Sequence, residues 1–217
     1  QSGAYQNTVC GNWIGTNAAG TAAVPNGSGI IVQSGAHDNI IGGSTAGQRN
    51  IISGNRGVGV LLWNTQPNTI KGNYIGTNPA GDAPIANGSY GIYVWSCPYT
   101  VIGGTSSGEG NLVSGNSGNG ILLGGSPGLR IDSNDNTIGG AAPGARNVIS
   151  GNASDGITIS SCQGNYLLGN YVGTDPTGTA AIGNAFDGIA MHFTSANHIG
   201  GTSPGEGNVI SGNNGRG

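Results

Sequence analysis

The sequence predicts an all-β solenoid of about seven turns with three short strands per turn, and three observations lead to it. Glycine supplies 46 of the 217 residues and Asp, Glu, Lys and Arg together only 7%, against usual shares of about 7% and about 25%. Three short phrases recur along the whole chain. Within one of them apolar residues alternate, so that one face of a strand is apolar throughout. Helix-rich folds are excluded, because glycine in a helix interior costs roughly 1 kcal/mol relative to alanine. Disorder is excluded by the regular return of Ile, Val and Leu and by a net charge of only -3.

The first phrase is a glycine followed by alternating apolar residues. It reads GIIV from Gly29, GVLL from Gly59, GIYV from Gly91, GILL from Gly120, GITI from Gly156 and GIAM from Gly188. Successive copies lie 30, 32, 29, 36 and 32 residues apart. The second phrase ends in glycine: NIIGG from Asn39, NTIKG from Asn68, TVIGG from Thr100, NTIGG from Asn136, NYLLG from Asn165 and NHIGG from Asn197. The third is NIISGN at 50–55, NLVSGN at 111–116 and NVISGN at 147–152 and 208–213, with the variants NYIGTN from Asn73 and NYVGTD from Asn170. One domain over 1–217 follows, with turns at 1–28, 29–58, 59–90, 91–119, 120–155, 156–187 and 188–217.

Each first-phrase strand is too short to bury its apolar face alone, so stacking at about 4.8 Å per turn must build the core. The inward residues are Ile30 and Val32, Val60 and Leu62, Ile92 and Val94, Ile121 and Leu123, Ile157 and Ile159, and Ile189 and Met191. Glycine and asparagine are expected at the corners, where both tolerate left-handed backbone and asparagine also bonds nearby backbone. A longer kind of turn, at 7–28, 59–90 and 156–187, carries GT[ND] and a looped segment such as PAGDAPIAN. Turn 120–155 holds extra residues around Leu129, Arg130, Ile131 and Asp132. Such a bulge is either a tolerated surface insertion or a functional loop.

The alternation of IGG-x-x-x-G-x-x-N-[VIL]-[IV]-S-G-N with G-N-[YW]-[IV]-G-T-[ND], from Asn7 to Gly217, resembles the right-handed parallel β-helix repeat proteins. That architecture is shared by pectate lyases and many large secreted or surface-exposed bacterial proteins. The resemblance implies a right-handed coil and export from the cell. It leaves the activity open, because this fold hosts lyases, hydrolases, tailspikes, adhesins and fibres.

Candidates for chemistry are few. Asp155 and Asp187 each precede a first-phrase glycine on consecutive turns, which places them about 5 Å apart. A pair at that distance could serve a glycoside as acid and nucleophile or hold calcium, while Asp-Gly is also ordinary turn chemistry. His192 and His198 are two unpaired outward imidazoles. Polysaccharide lyases of the resembling fold combine acidic calcium ligands with a basic residue. Here Lys71 is the only lysine, with no carboxylate cluster expected around it, and Arg130 beside Asp132 is the loop-borne alternative. No cofactor is expected, calcium being the one ion considered, and no nucleophile, phosphate-loop or zinc motif occurs.

The outward face of the first-phrase strand is more informative. Leu61 and Trp63, then Tyr93 and Trp95, then Leu122 form a contiguous apolar and aromatic patch. It fits a sugar ring, another protein or a covering loop of the same chain. Trp13, Tyr74 and Tyr171 recur only in the longer turns and are expected inside or at a corner. Cys97 and Cys162 stand a whole turn apart from pairing, about 10 Å by two rungs, and join a small-residue column with Thr65, Ser126 and Thr194. Cys10 lies in a different strand. Asn26, Asn87 and Asn152 begin N-x-Ser triplets and are candidate glycosylation sites in an exported chain.

So few basic residues exclude a phosphate-tracking stripe and hence nucleic acid as partner. No apolar run approaches the roughly 20 residues that cross a bilayer. The chain opens within a turn and closes on NVISGNNGRG still in register, so an uncapped stack, a piece of a longer chain or an end-to-end fibre is expected. The reading these features support is an extracellular structural protein, a segment of a surface fibre or adhesin whose partners are copies of itself and possible glycans. The alternative is a carbohydrate-active β-helix: a lyase or hydrolase using Asp132, Asp155 and Asp187, or a glycan-binding module using Trp63 and Trp95.

Overall fold

The computed structural model describes residues 3–125 and 132–217. Short strands, all paired in parallel, stack into three sheets. Sheet 1 contains Thr8–Val9, Ile40–Gly42, Thr69–Lys71, Val101–Ile102, Thr137–Gly139, Tyr166–Leu168 and His198–Ile199. Sheet 2 contains Trp13–Ile14, Ile51–Ile52, Tyr74–Ile75, Leu112–Ser114, Val148–Ser150, Tyr171–Val172 and Val209–Ile210. Sheet 3 contains Ile30–Gln33, Val60–Trp63, Ile92–Trp95, Ile121–Gly124, Ile157–Ser160 and Ile189–His192. The chain visits the sheets in that order, so the turns expected from the repeats resolve into six complete coils plus strands of a seventh in sheets 1 and 2.

Register follows the phrases. Ile30, Val60, Ile92, Ile121, Ile157 and Ile189 pair from rung to rung, and the extra residues of turn 120–155 do not shift it. Eight of the twelve predicted inward side chains, from Val60 through Ile159, are fully buried, joined by Ile41, Ile70, Ile102 and Ile138 from sheet 1 and by Ile52, Ile75 and Ile149 from sheet 2. Each such side chain contributes about 1.5–3 kcal/mol on burial. Ile30, Val32 and Ile189 pack against this core while partly exposed. Met191 departs from the expectation at 51% exposure, because among the described residues no further strand of sheet 3 covers Ile189–His192.

At the corners glycines such as Gly42, Gly76 and Gly139 take left-handed backbone as expected, and so does Asn64. Most corner asparagines do something further: they form ladders. Before sheet 2, Asn12, Asn50, Asn73, Asn111, Asn147, Asn170 and Asn208 form an unbroken column in which each Nδ2 donates to the next Oδ1 at 2.9–3.0 Å. Between sheets 2 and 3, Asn26, Asn55, Asn87, Asn116, Asn152, Asn184 and Asn213 do the same at 2.8–3.1 Å. The second Nδ2 hydrogen goes back to a carbonyl of an earlier coil, as from Asn116 to Ile75 and from Asn152 to Val113. The same Oδ1 atoms also accept backbone N–H groups, as Asn152 does from Asn116. The ladder before sheet 1 is interrupted at Thr100, whose Oγ1 is buried without a partner, and Asn68 donates instead to the carbonyls of Ala36 and Gln66.

Left-handed backbone at the corner after sheet 3 falls on Ser34, Asn64, Ser96, Ser161 and Phe193, with φ between 50° and 62°. First-phrase glycines are required for space instead. A Cβ on Gly120 would stand 2.5 Å from Ile149 Cγ2, 2.7 Å from the Gly156 carbonyl and 2.8 Å from Asn152 Nδ2. Gly91, Gly156 and Gly188 meet the amides of Asn116, Asn184 and Asn213 in the same way.

The looped segments of the longer turns close through antiparallel bridges, Thr16 with Ala23, Thr77 with Pro84 and Thr174 with Ala181. The [ND] of GT[ND] caps each: Asn78 Oδ1 accepts the N–H groups of Gly81 and Asp82, and Asp175 Oδ1 those of Thr179 and Ala180. The Thr177 hydroxyl, then these backbone donors, hold the Asp175 carboxyl down to about 2. In the shorter turns Gln48, Glu109 and Glu206 bond back to the N–H groups of Ser44, Thr105 and Ser203.

Replacing Asn116 by Ala removes one rung in mid-ladder and orphans its neighbours. Urea unfolding followed by circular dichroism should show a loss of about 3 kcal/mol. Gly120→Ala should cost about 1–3 kcal/mol through overpacking. Gly27→Ala, where an added Cβ meets nothing within 4 Å, should leave the unfolding midpoint in place.

Candidate functional site

The outward face of sheet 3 brings the predicted patch together. Ile31, Leu61, Tyr93 and Leu122 pair along one outward column, and Gln33, Trp63, Trp95 and Gly124 along the next. Because both indoles sit at the same register on adjacent rungs, they stack with centroids 5.9 Å apart and planes within 17°. Tyr93 meets Trp95 edge-on at 5.8 Å, and Tyr90 tilts against Tyr93 at 5.2 Å. Burial, then the neighbouring Tyr90, push the Tyr93 phenol up to about 12, so it stays a neutral hydroxyl. Trp95 lies over Gly124, where a Cβ would come within 2.5 Å of the ring. Trp63 remains 46% exposed, so no described segment covers the stack. A flat aromatic surface edged by Leu61 and a hydroxyl can take the apolar face of a pyranose ring.

The acidic candidates do not form one set. Asp155 and Asp187 sit on consecutive rungs as expected, but their oxygens are engaged in holding the coils. Asp155 accepts the Asp187 N–H at 3.1 Å and the Thr158 hydroxyl at 2.8 Å, and Asp187 accepts the Arg216 N–H at 2.7 Å. Asp132 stands beyond the opposite end of the sheet 3 strand, in a cleft of about 230 Å³ with Cys162, Gln163, Thr194 and Phe193. Its Oδ1 is buried without a hydrogen bond from described residues. Leu129, Arg130 and Ile131 lie outside the described residues, so the expected Arg130–Asp132 neighbourhood does too. Among the described residues no three His, Cys, Asp or Glu side chains come together as a metal site, and no helix is long and apolar enough to cross a membrane.

Beside Lys71 stands one carboxylate rather than a cluster: Glu109 Oε1 accepts from its Nζ at 2.8 Å, and this bond is the main cause holding the Glu109 carboxyl below its ordinary range. Its stabilisation is present at neutral pH and is lost as acid protonates Glu109. The repeat phrases do not announce the pair, because Glu109 reaches Lys71 from a loop 38 residues away in sequence. Asn87 and Asn152 are buried rungs with both Nδ2 hydrogens donated, which leaves no place for a glycan in the fold; Asn26 alone of the three is exposed. Ser126 lies outside the described residues, and Ser133 holds the column position between Cys97 and Cys162, its hydroxyl accepting the Cys97 N–H at 3.2 Å. His198 stacks on Tyr166 at 4.7 Å, both holding the second position of the second phrase on consecutive turns, and His192 ends a strand of sheet 3.

Trp13, Tyr74 and Tyr171 are neither inside nor at a corner. They point outward from sheet 2 in one column with Ile51, Leu112, Val148 and Val209. The looped segments fold over this column, placing Gly20 against Trp13, Gly81 against Tyr74 and Gly178 against Tyr171. Cover from these loops explains why Ile51, Leu112 and Val148 are buried on an outer face.

No family model matches the chain, and no curated protein matches it. Among solved structures it is similar to the A-module of a mannuronan C-5 epimerase from Azotobacter vinelandii, with a TM-score of 0.54 and 16% identity. The match covers 87% of this chain and 51% of that one, so the chain spans about half the length of the module it resembles. At that identity the likeness is one of fold: both are parallel β-helices.

All three cysteines are free, and burial raises the thiols of Cys97 and Cys162, the latter to about 11 with the Asp132 charge adding to the effect. Iodoacetamide at pH 8 should therefore alkylate Cys10 alone in the folded protein and all three in urea, as read by mass spectrometry.

Proposed function

We propose that this protein is an extracellular glycan-binding β-helix that holds a polysaccharide against the outward face of sheet 3. The observation that carries the reading is the stacked, exposed Trp63–Trp95 pair with Tyr93 at its edge. Two indoles at one rung spacing present a rigid apolar surface, and assembling it costs little entropy because the sheet already sets both side chains. Support of a general kind comes from the neighbour, a β-helix whose name records action on a polysaccharide. The fibre and adhesin roles expected from the sequence gain no such support. An enzyme using Asp132, Asp155 and Asp187 is disfavoured by the place of Asp132 beyond the opposite end of the strand and by the backbone N–H groups and Thr158 hydroxyl that engage Asp155 and Asp187.

Titration of the tryptophan fluorescence with neutral and acidic oligosaccharides tests the reading. A saturable change is expected, with Trp63→Ala weakening the response about tenfold or more. Asp155→Asn should bind as the parent does. Turnover of any of these sugars that disappears in Asp155→Asn or Asp187→Asn would replace binding by catalysis as the function.

A further inference from the structure

The other outer face, sheet 2, carries a feature that the glycan reading does not use. Arg49 and Arg146 each stack over the tyrosine one rung further along, Arg49 on Tyr74 at 4.0 Å and Arg146 on Tyr171 at 4.5 Å. Both guanidiniums line one cleft of about 340 Å³, with Leu112, Val148, Pro143 and Pro176 as its apolar part. The chain has only six Lys and Arg. Among the described residues neither of these two has a carboxylate partner, neither side chain donates a hydrogen bond, and the Nε of each is buried without an acceptor. Leaving the buried Nε of each without an acceptor is costly.

We propose that this cleft binds an extended acidic peptide segment of the pattern acidic-x-apolar-x-acidic, through charge-assisted bonds from Arg49 and Arg146. The spacing supports it. Both arginines immediately precede ladder asparagines, and Asn50 to Asn147 is three rungs through Asn73 and Asn111, or roughly 14 Å at about 4.8 Å per rung. Four residues of an extended peptide span about the same distance and put positions i, i+2 and i+4 on one face. Two carboxylates then meet the two guanidinium forks, and the middle side chain enters the apolar part of the cleft, where Pro143 and Pro176 flank the edges of Leu112 and Val148. A sugar polymer fits less well, because the tyrosine faces it would stack on are taken: each ring is held between a guanidinium and a loop glycine, Gly81 or Gly178. Two cations are also too few to track a nucleic acid backbone.

The test uses the full chain and fluorescently labelled peptides with the core Glu-Ser-Leu-Ser-Glu, read by anisotropy at low and high salt. Saturable binding that weakens with salt is expected, and Arg49→Gln or Arg146→Gln should each weaken it about tenfold or more. Arg49→Lys, which keeps the charge but loses the fork, should lose only part of the affinity, separating recognition from a folding defect. Trp63→Ala should leave peptide binding unchanged, so the failure of one site does not stand for failure of the other. The assignment is overturned if the Gln-for-Glu peptide or a Glu-Leu-Glu peptide binds equally well, if no peptide binds, or if a tetra-uronate binds the cleft more tightly in an Arg49- and Arg146-dependent way.

Discussion

Everything outside the aliphatic core depends on the asparagine ladders. A parallel β-helix must bury the polar backbone of every corner, coil after coil, where no regular sheet bonds reach. An asparagine amide has two donors and an acceptor with two lone pairs, which matches the needs of a stacked corner. It passes one bond along the axis, returns one to an earlier coil and accepts a backbone N–H. Burial of Asn87, Asn116, Asn152 and Asn184 is tolerable only because each is fully bonded. The interruption at Thr100 shows the converse, since a hydroxyl there leaves its oxygen buried and unpaired.

The ladders also account for much of the unusual composition. A glycine stands wherever a coil passes close to a ladder amide, as at Gly120 beside Asn152 and Gly91 beside Asn116. With the corners held by neutral amides, the protein needs few ion pairs, and Lys71–Glu109 ties one turn to the next. Charge that does occur is thus conspicuous. Arg49 and Arg146 stand out because they are cations in a structure that otherwise avoids them and because each stacks on tyrosine without a counter-ion among the described residues.

Rung spacing converts a one-dimensional repeat into surfaces. Residues about 30 positions apart in sequence come into contact, so Trp63 and Trp95 form one platform although 32 positions separate them. The platform was legible because period-2 alternation and a known repeat together give both face and register. Asp155 and Asp187 fall on consecutive rungs by the same logic, but which atoms their oxygens bond was not legible, since the period gives rung and face and not hydrogen-bond partners. The arginine cleft was not read from the phrases because Arg49 and Arg146 lie just ahead of the third phrase, and only the stacking of coils sets them over Tyr74 and Tyr171 of the next rung.

By itself the sequence determined the coil, its three strands per turn, the inward aliphatic columns and the outward aromatic pair. Those follow from periodicity, because hydrophobic burial selects one register and one face for each short strand. Tertiary structure alone decided what the ladder asparagines and the first-phrase glycines do. Composition marks both as corner residues, yet whether an Asn turns the chain or bonds to the Asn above it depends on the alignment of coils. The same holds for Asn87 and Asn152, which look like modification sites in one dimension and are interior rungs in three. Side-chain bonds across coils join residues 23 to 45 positions apart. No local pattern records such a contact until the core has set the stack.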